Sequence, residues 1–63
     1  MTAEEGVYVQ NVVKAVKAMI GHEPWFRGVC TDTIYDSFLH GRSIKAATEI
    51  AHDDTLYWDG QYL

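Results

Sequence analysis

The sequence predicts an all-α domain: a small bundle of three main helices at about residues 3–20, 31–40 and 43–52, followed by a short aromatic turn or helix. Three observations predict it. Apolar residues recur at three- and four-residue intervals in each segment, a capping residue precedes each one, and glycine follows the first two.

In the first segment, Thr2-Ala3-Glu4-Glu5 has the spacing of a capping box, in which the Thr2 hydroxyl accepts from the Glu5 amide. Val9, Val12, Val13, Val16, Met19 and Ile20 then form an apolar stripe, with Gln10, Asn11, Lys14 and Lys17 elsewhere on the wheel. Gly6 costs a helix about 1 kcal/mol relative to alanine, and Val7-Tyr8-Val9 also has the composition of a short strand. Helix is the better reading, because a strand would leave Val13, Val16 and Met19 without a common face. Gly21 is a natural terminator, and Pro24 forbids comfortable continuation.

Trp25 and Phe26 follow in a short turn of helix or ordered loop, and two aromatics there need a place to bury. Thr31 or Asp32 can cap the second helix. On it, Cys30, Ile34 and Phe38 stand at four-residue steps with Tyr35 and Leu39 beside them, a face expected to point inward. His40 and Gly41 end it, and Ser43 caps the third helix, whose apolar side is Ile44, Ala47, Ile50 and Ala51. Asp53-Asp54 is expected to close that helix and cap the last segment, Thr55 to Leu63, where Gly60 argues against a full helix.

Residues 1–63 make one domain, and folding at this size buries only about 60% of the unfolded chain's surface. Disulfides cannot reinforce it, because Cys30 is the sole cysteine. A lone cysteine, with no basic and apolar leader at Met1-Thr2-Ala3-Glu4-Glu5, gives the expectation of a cytoplasmic protein. Apolar runs fall far short of the roughly 20 residues that span a bilayer, so no membrane association is expected.

The net charge of −4 lies wholly in the second half. Glu4, Glu5 and Glu23 balance Lys14, Lys17 and Arg27, whereas Asp32, Asp36, Glu49, Asp53, Asp54 and Asp59 face only Arg42 and Lys45. Phosphate backbones are held by Lys and Arg, so a basic protein surface is the better-matched partner and nucleic acid the poorer one. Eight aromatic residues are also many for a core of this size, and Tyr and Trp are usual anchors of interfaces. Asp53, Asp54, Tyr57, Trp58, Asp59 and Tyr62 are therefore the expected partner-binding residues.

Gly41-Arg42-Ser43-Ile44, Ala46-Ala47 and Ile50-Ala51, followed by His52-Asp53-Asp54 and Thr55-Leu56-Tyr57-Trp58, resemble the helix-turn-helix unit of DNA-binding regulators. The resemblance covers about a third of the chain. It implies a turn at residues 52–54, a recognition helix opening at Thr55, phosphate contacts from Arg42 and Lys45 with Lys14 and Lys17 in support, and a dimer. The sequence departs from that pattern in the turn and reading helix, which together have no Lys or Arg and carry Asp53, Asp54 and Asp59.

Chemistry finds little purchase in these residues. Glu49 and His52 make one Glu-x-x-His step, but carboxylate-bridged metal bundles take further carboxylates from facing helices. Cys30, His22, His40 and His52 match no recurring zinc spacing. Ser37, Ser43 and Cys30 lie in no nucleophile motif, and the five glycines form no phosphate loop. No enzyme activity, metal or cofactor is expected. The expected function is that of a small acidic regulatory protein that binds a protein partner and can self-associate, in the manner of the accessory proteins of phages and mobile elements that modulate a host factor. The alternative is a dimeric helix-turn-helix regulator.

Overall fold

The computed structural model describes residues 2–57. Among these it shows three helices and no strand: α1 (Ala3–Ile20), α2 (Asp32–Leu39) and α3 (Ile44–Tyr57). The all-α bundle follows from the three stripes, and Val7 to Val9 are helical.

Thr2 caps α1 as its spacing requires, its hydroxyl accepting from the Glu5 amide at 3.1 Å. The stripe divides on folding: Val9, Val12, Val16 and Ile20 are buried, Val13 packs against them from the side, and Met19 is half exposed. Helix α1 ends at Gly21 without a left-handed turn. Gly21 has φ −64°, and its amide still donates to Lys17 O at 2.8 Å. The chain then turns through bonds from Glu23 N–H to Ile20 O and from Phe26 N–H to Glu23 O. Phe26 joins the core, while Trp25 next to it remains 51% exposed, so only one of the two aromatics finds the expected burial.

The start of α2 differs from expectation, since Thr31 occupies the cap position without capping through its side chain. Its inward face is also narrower. Ile34 and Ser37 are the fully buried pair, and Leu39 is 78% exposed, because it falls in the last turn where the chain already bends away.

The bend is closed by Gly41, at φ +69°. Gly41 N–H donates to Phe38 O and Arg42 N–H to Ser37 O, the paired bonds of a Schellman cap that satisfy carbonyls left orphaned at a helix end. A left-handed residue there favours glycine, which lacks the Cβ that such backbone crowds.

Ser43 then caps α3, its hydroxyl accepting from the Ala46 amide at 3.1 Å. Contrary to the expected stop at residue 52, α3 runs unbroken through Asp53 and Asp54 to Tyr57. The reason is tertiary. Thr55 is buried, its hydroxyl donates to Ala51 O at 2.7 Å, and it accepts from the Cys30 amide at 3.0 Å. That anchored turn outweighs the modest reluctance of aspartate to sit in a helix. Consequently the turn at residues 52–54 implied by the helix-turn-helix resemblance is absent.

Helices α1 and α3 run in the same direction. The Tyr8 hydroxyl donates to Arg42 O at 2.8 Å, just before α3 begins, while Cys30, in the loop after α1, meets Thr55 near the end of α3. Helix α2 returns between these ends. Ala47 and Ala51 have no exposed surface and let the backbone of α3 approach the valines of α1 closely.

Candidate acidic and aromatic interface

Because α3 continues to Tyr57, its outward face is longer than the sequence pattern indicates. Lys45, Glu49, Asp53 and Tyr57 are spaced four apart, so they line one side of the helix, and all four are exposed. Tyr57 is 83% exposed and Leu56 beside it 39%. Asp53 has a 3.6 Å contact with His52 Nδ1, and neither Glu49 nor Asp53 has a Lys or Arg partner among the described residues. Trp58, Asp59 and Tyr62, also expected at this interface, lie outside the described residues.

Asp54 points elsewhere. With Cys30, Asp32, Thr33 and Asp36 it lines a cleft of about 270 Å³ between α2 and α3. The Thr33 hydroxyl oxygen is buried without a hydrogen-bond partner among the described residues, which is uncommon in a folded chain. Asp32 and Thr33 as part of a surface shared with Asp54 were missed by sequence reasoning. Asp32 and Asp36 are one turn apart on α2, so the signal was present, but pairing them with Asp54 required the helix crossing.

The cations expected at phosphate, Arg42, Lys45, Lys14 and Lys17, lie on different elements. Arg42 Nη1 donates to Asp36 Oδ2 at 3.2 Å and to Ser37 Oγ at 3.3 Å, and with its side chain only 35% exposed it serves the α2–α3 turn. Lys45 is exposed, but on the same helix face as Glu49 and Asp53. Lys14 and Lys17 stand apart on α1, bordering a groove of about 450 Å³ whose other described lining residues are Val9, Gln10 and Val13.

The remaining candidates are separated or occupied. His40 Nδ1 lies 3.3 Å from Asp36 Oδ1, at the end of α2 away from Cys30, and His22 pairs with Glu23 at 3.2 Å. His52 turns to Asp53 rather than to Glu49. Among the described residues no cluster of His, Cys, Asp or Glu is arranged to hold a metal ion. Ser37 Oγ is taken by Arg42 and Ser43 Oγ by its capping bond. Cys30 is a free thiol, 2% exposed.

At the far end from the cleft, Tyr8 stacks edge-on against Phe38, with ring centroids 5.3 Å apart. Burial raises the Tyr8 phenol above its ordinary value, and the Arg42 charge partly opposes that. No helix is long and apolar enough to cross a membrane among the described residues. No protein-family model matches the chain, and neither a curated protein nor a solved structure matches it.

Proposed function

We propose that this protein works by binding a basic protein surface through the outward face of α3, with no chemistry of its own. One observation carries the reading: Tyr57 is 83% exposed on the same helix face as Glu49 and Asp53, whose carboxylates have no Lys or Arg partner among the described residues. An exposed aromatic with few rotatable bonds provides contact area, and carboxylates beside it that no Lys or Arg neutralises among the described residues provide the sign of the partner. The cleft carboxylates Asp32, Asp36 and Asp54 extend the negative surface across to α2. Such a surface suits a regulatory protein that occupies a basic groove on its target.

The test is a titration of the full chain with a lysine- and arginine-rich amphipathic peptide, run beside duplex DNA of matched charge at low salt. Saturable peptide binding that weakens with added salt, and that Tyr57→Ala and Asp53→Lys each reduce about tenfold, supports the reading. Tight binding of the duplex with none of the peptide would overturn it in favour of a DNA-binding regulator.

A further inference from the structure

The α1 groove has the opposite character to the α3 face. Its floor is apolar, with Val9 4% exposed and Val13 half buried, and its rim is cationic. Lys14 and Lys17 are exposed, and their side chains take part in no ion pair or hydrogen bond among the described residues. Glu4 and Glu5, the carboxylates of this helix, lie in its first turn, away from the two lysines. The molecule thus carries one free positive and apolar surface and one free negative and aromatic surface, on different helices.

We infer that these two surfaces fit each other between copies, so that α3 of one chain seats on the α1 groove of a second. The order of residues supports this. Beyond Lys45 at its start, the outward side of α3 presents, read from start to end, Glu49, Asp53, then Leu56 and Tyr57. Read from end to start, the groove side of α1 presents Lys17, Lys14, then Val13 and Val9. At 1.5 Å of rise per residue, the two carboxylates are about 6 Å apart and the two lysines about 4.5 Å. Carboxylates meet ammonium groups while the tyrosine and leucine meet the valine floor, provided that the two helices pack antiparallel.

Symmetry supplies that orientation. Within one chain α1 and α3 are parallel, as the Tyr8 and Cys30 hydrogen bonds show. A two-fold axis perpendicular to the helices therefore sets α3 of the second chain antiparallel to α1 of the first. It also makes the contact reciprocal: each chain gives one α3 face and one α1 groove, the closed arrangement that two-fold dimers use. The inference shares the α3 face with the function proposed above, and implies that self-association and partner binding compete for it.

Sedimentation velocity on the full chain tests it. At low salt and rising concentration the wild type is expected to move from the 7.1 kDa chain mass to twice that, and to return to monomer as salt is added. The doubly substituted K14E/K17E chain makes both surfaces negative, and E49K/D53K makes both positive, so each alone should remain monomeric. Their equimolar mixture should recover the dimer, because both reciprocal contacts are then opposite in sign. Helical circular dichroism establishes that the substituted chains are folded, as expected for four exposed positions. A wild type that stays monomeric at millimolar concentration, a dimer that survives either double substitution, or a mixture that stays monomeric would overturn the inference. None of these outcomes bears on the peptide titration, so the failure of one reading is distinguishable from failure of the other.

Discussion

The two ends of the bundle are built on different principles. At one end, where α1 starts, α2 stops and α3 begins, several hydrogen bonds tie the helix ends together. Tyr8 binds Arg42 O, Arg42 reaches back to Asp36 and Ser37, and Gly41 closes a Schellman cap. At the other end the Thr55 side chain ties the long loop to α3, and Trp25, Met19, Leu56 and Tyr57 are left in solvent. The first end secures the fold. The second keeps large side chains available, and small proteins have little apolar surface to spare. Exposed large apolar side chains are not confined to that end, since Val7 and Leu39 stand in solvent at the first, but only the second adds an exposed aromatic pair, Trp25 and Tyr57.

The sharpest way to break this contrast is at Thr55. Replacing it with valine preserves shape but removes the acceptor from the buried Cys30 amide, which should cost about 1–3 kcal/mol, read as a lower urea midpoint. A near-neutral result would mean that the loop end is held by packing alone. At the opposite end, Gly41→Ala meets no atom within 4 Å of the new Cβ, so its cost is backbone strain, about 1–2 kcal/mol. A stabilised variant would show that the turn relaxes out of its left-handed geometry.

Tyr8→Phe comes next, at about 0.5–1.5 kcal/mol for the lost hydrogen bond. It should also change the response to alkali. The phenol of Tyr8 is held above its usual value of 10.0 in the folded chain, by burial first and despite Arg42. The folded state thus keeps a proton that the unfolded state releases. The stability this gives is fully present below about pH 10 and is lost as pH rises through the higher folded value. Wild type should lose stability over that window more steeply than Tyr8→Phe, and parallel curves would remove Tyr8 from the explanation. Smallest of all should be Tyr57→Ala, within about 0.5 kcal/mol, since Tyr57 is 83% exposed and contributes little to its own fold.

Much of this was legible from local pattern. Thr2 and Ser43 announce their helices, the valines of α1 mark its buried face, and Gly41 marks the turn. The end of α3 was not legible. Asp53-Asp54 has the composition of a cap, and what keeps the helix going is the bond between Thr55 and an amide 25 positions away, which no local window contains. The same blindness affected the candidate site. Asp53 and Asp54 adjoin in sequence but face apart, one along the exposed stripe and one into the cleft with Asp32 and Asp36. Leu39 and Met19 fit a helical stripe but sit at helix ends, where the partner helix no longer reaches them.

Thr55 also makes the Cys30 amide a reporter. That proton sits on a buried residue and is held by a hydroxyl of α3, itself held by Ala51 O. It can exchange with solvent deuterium only when the final turn of α3 separates from the loop. If that separation is a local opening, the Cys30 amide exchanges faster than those of Val12 and Val16. If all three exchange at one rate, loop and helix end unfold only with the whole domain. The interval between those rates measures how firmly the end of α3 that carries Tyr57 is held to the rest of the domain.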